Sequence, residues 1–431
     1  MGALRAAALA IVAAILASGA SAQDAALPDE TPPGLHEPPA PPADPSEAAR
    51  NAEFARVLDE VYATGDFAGL AVALVRRGDT VFVKTYGTRA AGSADPVTPQ
   101  TVFRIASLSK GVTGTLAALA MVEGRLSVDE PIAPYAPGFR LQGEAHRELT
   151  IADVLSHRTG LPSHAYDNLL LAGVPVDDIL PRFYQLRLTC EVGACYNYQN
   201  ITFDFAGLAL SSAYELPFES LAKQKIFEPL GMATASIGEA ALYASPDWAR
   251  PARRAKTGKG RYAYGPWRTV AVKPAFYRVP SSGGVNASIL DLAQWLKGQS
   301  GHAKTIPAAA LDLAHVVQVA SPVEDPGMRN ISPRFSNSRY GYGWRRYDYA
   351  GADVIGHGGI VDGYGAQIAW LPDRDVGIVL LTNSQSRRFW RILPTFLDLE
   401  LGLDRGNWLD LAPVIAPVIA ATPAPPAPAA E

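Results

Sequence analysis

The chain predicts a mixed α/β (α+β) fold, with one antiparallel sheet built from both chain ends, flanked by helices, and a helical lobe between those ends. Three observations predict it. Aliphatic and β-branched runs at Leu70–Arg76 and Thr80–Tyr86 flank the turn Arg77-Gly78-Asp79, a hairpin pattern. The same pattern returns near the other end, in Val354–His357, Gly365–Leu371, the turn Pro372-Asp373-Arg374-Asp375, and Val376–Thr382. Between them, from about 108 to 300, the chain is mostly helical in pattern with Gly and Pro breaks, and a further helix is expected from about Ser386 to Leu401.

The elements follow in chain order. Arg5, the uncharged run Ala6–Ala17 and the small residues Ala20-Ser21-Ala22 predict a signal peptide over residues 1–22. The apolar run is short for a bilayer span, so the expectation is a periplasmic or secreted protein with no stable membrane anchor after cleavage. An uncleaved anchor is the alternative. Residues 23–46 hold eight prolines and no hydrophobic period, which predicts an extended linker. A folded domain is expected over 47–410, followed by an Ala/Pro-rich tail over 411–431. The 431 residues are 48% hydrophobic and 19% charged, enough for a large core. Net charge is −4 and no basic cluster occurs, so no nucleic-acid partner is expected.

Chemistry is concentrated in Thr101–Lys110. Ser107 and Lys110 are three residues apart, so on a helix they share one face. A serine hydroxyl needs a neighbouring base to become a nucleophile, and a desolvated lysine can be that base. Gly111 to Met121 carries no charge, which predicts a buried helix and a Lys110 pushed toward its neutral form. If Ser107 opens that helix, the free N–H groups there favour developing negative charge. Alone, the pair is a weak signal, because a helix cap followed by an exposed lysine has the same spelling.

Further runs add support: Leu149–Pro162, with Ser156-His157-Arg158-Thr159-Gly160; Tyr198-Gln199-Asn200; Glu228–Met232; Pro280–Ser288; and His357-Gly358-Gly359. With Ser107-Leu108-Ser109-Lys110, all of these except Pro280–Ser288 make the chain resemble the serine β-lactamase and penicillin-binding-protein superfamily on its class C side, over about residues 55–400. The resemblance implies an antiparallel sheet beside an all-helical lobe. It further implies Ser107 as acylated nucleophile, Lys110 and Tyr198 as coupled proton carriers, and Asn200 as the amide that holds the acyl-side carbonyl. His357, Gly358 and Gly359 stand where the family has Lys-Thr/Ser-Gly lining the pocket. The backbone N–H groups of Ser107 and Ile360 would form the oxyanion hole.

The resemblance departs from the family at that last run. Lys and Thr/Ser grip a substrate carboxylate there, whereas an unperturbed His357 is mostly neutral at pH 7 and Gly358 has no hydroxyl. No acidic-loop residue is assignable as a deacylation base. The expectation is therefore a serine hydrolase of esters or amides, of esterase or D-amino-acid peptidase type, acting on a small-molecule or peptide substrate. A class C-like β-lactamase, a D-Ala-D-Ala carboxypeptidase and a binding module acylated only once are the alternatives. Arg345 or Arg268 is a candidate to replace the missing clamp. His157 and His164 lie seven apart, which matches no usual zinc pattern, and no metal or cofactor is expected. Cys190 and Cys195, with export, predict a local disulfide, free thiols being the alternative. Tyr262, Tyr264, Trp267, Phe276 and Tyr277 are candidates to roof the cleft.

Overall fold

The computed structural model describes residues 45–260 and 263–411. The expected signal peptide, most of the linker, Tyr262 and nearly all of the tail lie outside the described residues.

Helix α1 (Pro45–Ala63) leads into strands β1 (Gly69–Arg76) and β2 (Asp79–Gly87). After a long excursion come β3 (Val319–Ala320), β4 (Phe335–Tyr340), β5 (Arg345–Tyr349), β6 (Ala352–Val361), β7 (Tyr364–Leu371) and β8 (Val376–Thr382). Among the described residues these form one eight-stranded antiparallel sheet in the order β2-β1-β8-β7-β6-β5-β4-β3. The closing pair joins the chain ends, Leu70 opposite Thr382 and Arg76 opposite Val376.

Period-two alternation decides which face each side chain serves. On β1, Leu70, Val72 and Leu74 enter one core, while Ala71, Ala73 and Val75 enter the other. On β8, Ile378 and Leu380 join the first, Val379 and Leu381 the second. Helices cover both faces, so β1 and β8 are buried on both. The first face is covered by α1 and by the last helix, Phe389–Leu401, whose apolar residues recur at helical spacing: Phe54, Val57, Leu58, Val61 and Phe389, Ile392, Leu393, Phe396, Leu397. Each such side chain contributes about 1.5–3 kcal/mol on burial; truncating Phe396, whose ring stacks edge-on to Phe54 at 5.8 Å, would open this layer.

The second face rests on α2 (Ser109–Val122), α3 (Phe205–Tyr214), α4 (Ile289–Gln299) and α5 (Ala308–His315). Helix α4 starts where Ser288 and Asp291 cap each other's backbone N–H. Two more helices complete the frame, α6 (Asp325–Ile331) and α7 (Phe389–Leu401).

Two expectations need correction. The lobe is not all-helical: Phe103–Arg104, Ser236–Ile237 and Val285–Ala287 form a small sheet inside it, and several helices there are single turns. The Gly and Pro breaks cut the helices short, and the freed backbone groups pair as strands instead. Ser107 does not open α2 either. It sits in a 3₁₀ turn, Ala106–Leu108, that directly precedes α2, two residues before the helix begins.

Candidate active site

Ser107 is delivered by a strained turn. Ala106 has φ +50°, a conformation costly for a residue with a side chain, and the small sheet holds it by pairing Phe103 with Ala287 and Arg104 with Asn286. On its other side, β6 comes so close that a Cβ on Gly359 would lie 2.2 Å from the Ile105 carbonyl oxygen and 3.1 Å from the Ser107 nitrogen. Only glycine leaves the Ser107 N–H uncovered at this approach. Ile360 follows, with its side chain exposed at the cavity rim.

Lys110 is fully buried. Its Nζ donates to Asn200 Oδ1 at 2.7 Å and to the Ser282 carbonyl at 3.0 Å. A neutral amine has two N–H bonds, so both are used and its lone pair is the position left over. Burial lowers its pKa from 10.5 to about 7; Asp167 and Asp204 oppose the shift and Arg345 reinforces it. The free-base form is therefore well populated at neutral pH.

Tyr198 lies over the amine, which is 4.7 Å from the ring centre, and shares the cavity wall with Ser107. Burial pushes the phenol well above its usual range, partly offset by the Arg345 charge and the Ser107 hydroxyl. Tyr198 is thus a phenol near neutrality, and Lys110 is the group able to hold the serine proton.

The run containing His157 braces this tyrosine. The His157 carbonyl accepts from Asn197 N at 2.9 Å, its Nδ1 accepts from Gln199 N at 3.2 Å, and its ring packs 4.3 Å from that of Tyr198. Burial holds His157 well below its usual pKa, so it is a neutral packed histidine. Cys190 and Cys195 form a disulfide just before Tyr198. His164 N donates to the Tyr198 carbonyl at 2.8 Å, and its ring Nδ1–H to Asp167 Oδ2 at 2.9 Å.

Sequence reasoning missed Asp167. It accepts from Asn200 Nδ2 at 2.7 Å, which orients the amide so that Oδ1 faces Lys110. Nothing in the sequence marks it, because a lone aspartate at the start of a short helix, Asp167–Leu171, has no spacing signature.

A cavity of about 670 Å³ opens over Ser107, Tyr198 and Asn200. Its walls include Gly358, Arg345 and Glu324, and apolar Phe276, Val323, Met328, Ile331, Trp390 and Leu393. His357 lines it too, but both ring nitrogens are taken: Nδ1–H donates to the Gly358 carbonyl at 2.8 Å, and Nε2 accepts from the Tyr340 hydroxyl at 3.0 Å. Burial, with the charges of Arg345 and Lys110, holds His357 far below its usual pKa. His357 therefore offers the cavity a neutral ring and no free nitrogen. The family's hydroxyl position is filled as well, since a Cβ on Gly358 would stand 2.9 Å from Cζ3 of Trp390.

Of the two candidate replacement cations, Arg345 reaches the cavity and Arg268 does not. Arg345 is ion-paired with Glu324 and lies 5.2 Å from the Tyr198 ring centre. Of the candidate roof aromatics, Phe276 lines the cavity. Tyr264 and Trp267 stack on Arg254, and Tyr277 on Arg104. Among the described residues no cluster of His, Cys, Asp and Glu is arranged to hold a metal.

A helix-covered antiparallel sheet with a serine, a buried lysine and a tyrosine at its margin defines the β-lactamase and penicillin-binding-protein class of serine hydrolases. The chain belongs to the beta-lactamase family, whose model matches residues 54–400. Among curated proteins it is similar to Unguisins hydrolase ungD of Aspergillus violaceofuscus, 24% identical over 83% of this chain and 66% of the relative. It is also similar to Protein flp of Staphylococcus aureus, 22% identical over 77% of this chain and 62% of the relative. The chain thus spans just under two thirds of the length of these relatives. Among solved structures, the octameric penicillin-binding protein homologue from Pyrococcus abyssi matches with TM-score 0.68 and 24% identity, over 82% of this chain and 78% of that one. The crystal structure of SurE matches with TM-score 0.64 and 20% identity, over 84% and 78%.

Proposed function

We propose that the protein is an exported serine hydrolase that forms an acyl-enzyme at Ser107 and acts on ester or amide substrates. One observation carries this: Ser107 and Tyr198 line one cavity beside a buried amine whose pKa is lowered to about 7 and whose two N–H bonds are already engaged. In the proposed reaction Ser107 Oγ attacks the substrate carbonyl carbon, and its proton passes to Lys110 with Tyr198 in contact. The negative oxygen is held by the N–H groups of Ser107 and Ile360. The tetrahedral species collapses, the bond to the leaving oxygen or nitrogen breaks, and the leaving group takes the proton from Lys110. Water then cleaves the acyl-serine and restores the hydroxyl. The side-chain amide of Asn200, oriented by Asp167, has a second N–H left for the substrate's acyl-side carbonyl.

Neutral substrates are favoured over carboxylates because His357 is uncharged and Trp390 occupies the hydroxyl position. Arg345 favours the other outcome, a β-lactamase or D-Ala-D-Ala carboxypeptidase, but its charge is shared with Glu324. Export is supported by the disulfide, a bond that persists in oxidising compartments. Steady-state kinetics on a short p-nitrophenyl ester, a chromogenic cephalosporin and a D-Ala-D-Ala peptide test the proposal. Turnover of the ester with the highest kcat/KM is expected. A cephalosporin turned over faster than the ester overturns the preference, and no Ser107-dependent turnover of any of the three overturns the activity.

A further inference from the structure

The catalytic cavity carries a chemical bias beyond hydrolysis itself. Along β6, Gly358 presents no side chain, and the Trp390 indole lies against it, 2.9 Å from where a Cβ would stand. Trp390 projects from α7, one turn before Leu393, and both line the cavity. Met328 and Ile331 of α6 line it as well, and α6 and α7 are in contact. All three partly buried side chains, Met328, Ile331 and Trp390, pack against the core under the sheet while leaving surface to the cavity. Among the described residues, Arg345 is the cation on this cavity's wall, and Glu324 holds it.

We infer that this part of the cavity, lined by Trp390, Met328 and Ile331, is a subsite for an uncharged apolar group of the substrate. It stands at the point on the strand where the resemblance places a carboxylate clamp. The inference rests on the proposed hydrolysis at Ser107 and names the substrate class for it: neutral esters or amides with an alkyl or aryl group at this subsite. Transfer of apolar surface from water to these walls supplies the selectivity, and a free carboxylate would have to give up its hydration without gaining an unpaired cation.

A neighbouring cavity of about 400 Å³ shares Trp390 and Ile360 and is lined by Arg253, Arg254 and Arg387. Asp362 and Asp66 engage the first two of these. A carboxylate passing the indole would meet Arg387, and the experiment distinguishes that outcome.

The test uses two matched substrate pairs. Phenylacetyl butanethioester is compared with phenylacetyl thioglycolate, and p-nitrophenyl hexanoate with the p-nitrophenyl monoester of glutaric acid. In at least one pair the apolar member should lead by roughly tenfold or more in kcat/KM, the scale of a few buried methylenes. In Trp390→Ala that lead should shrink severalfold, and Trp390→Phe should retain most of it. Circular dichroism shows whether each variant folds, and Met328→Gln reads a second lining residue if Trp390→Ala does not. Equal rates within both pairs overturn the subsite, as does a preference for the carboxylate member that Arg387→Ala removes. Binding is read without turnover in Ser107→Ala, by calorimetric titration with butyl phenylacetate against phenylacetoxyacetate. The neutral ester should bind about tenfold tighter, and equal or reversed affinity overturns the subsite. Failure of hydrolysis is separate: Ser107 unlabelled by a fluorophosphonate and no ester turned over would remove the activity, while the titration would still report on the subsite.

Discussion

Lys110 Nζ donates to Asn200 Oδ1 at 2.7 Å, and the same Asn200 donates to Asp167 at 2.7 Å, so a buried amine and a half-buried carboxylate are joined through one amide. A flipped amide would place oxygen against oxygen at Asp167. Asp167 therefore sets both the orientation of Asn200 and part of the field at Lys110.

The pH profile should report this field. Lys110 acts as a base only when deprotonated, and its pKa is lowered to about 7. The kcat/KM is expected to fall about tenfold per pH unit below that value and to level off above it. Burial raises the Tyr198 phenol above its usual range, so no alkaline loss from Tyr198 is expected below pH 10. Asp167 and Asp204 raise the Lys110 pKa and Arg345 lowers it. Asp167→Asn removes one raising charge and should move the acid midpoint to lower pH, with a reduced plateau. A midpoint that moves upward contradicts the assignment of Lys110 as the titrating base.

Removal of the proton-transfer groups should be strongly non-additive. Ser107→Ala should abolish labelling by a fluorophosphonate, and Lys110→Ala should lower kcat by on the order of 10⁴-fold. The double variant should be little worse than either single one. Undiminished labelling of Ser107→Ala would show that the nucleophile lies elsewhere.

Gly359→Ala should strike the oxyanion site. The added methyl would meet the Ile105 carbonyl and stand 3.1 Å from the Ser107 nitrogen. A kcat loss of about 10²–10³-fold is expected, the scale of losing one oxyanion donor. Retained circular dichroism with unchanged kcat would show that this approach does not matter to catalysis.

Restoring the family's clamp should fail in the wild-type background. In His357→Lys/Gly358→Thr the new Cβ would collide with Trp390, and the lysine would lose the Tyr340 bond in a buried place. A stability loss of about 2–4 kcal/mol is expected from urea unfolding. Adding Trp390→Ala should recover part of it, and equal losses in both backgrounds would show no contact between positions 358 and 390.

The disulfide closes a loop with a sequence separation of 5. The chain-entropy model gives it about 2 kcal/mol. Cys190→Ser/Cys195→Ser should lose about that much stability, and a lower kcat should follow because this loop carries Tyr198. Two reactive thiols on unreduced, denatured wild-type protein would show that the bridge is absent.

What the sequence determined by itself was local. Aliphatic and β-branched runs at 70–86 and 354–382 specify strands because such side chains suit a pleated, packed surface, and Ser107 with Lys110 shows as a pair because three positions is about one turn. The glycine at 358 also announced that a family hydroxyl was missing. Only the tertiary structure decided what stands in its place. Trp390 lies 32 positions further on, and closure of β6 and β7 against α7 brings its ring onto Gly358. Asp167 and Asn200, and Glu324 and Arg345, likewise meet through packing of separate elements. The two nitrogens of His357 are spent for the same reason: burial left Tyr340 and the Gly358 carbonyl as their partners. Such pairs have no fixed spacing, because burial and polar satisfaction select them after the elements pack and not along the chain.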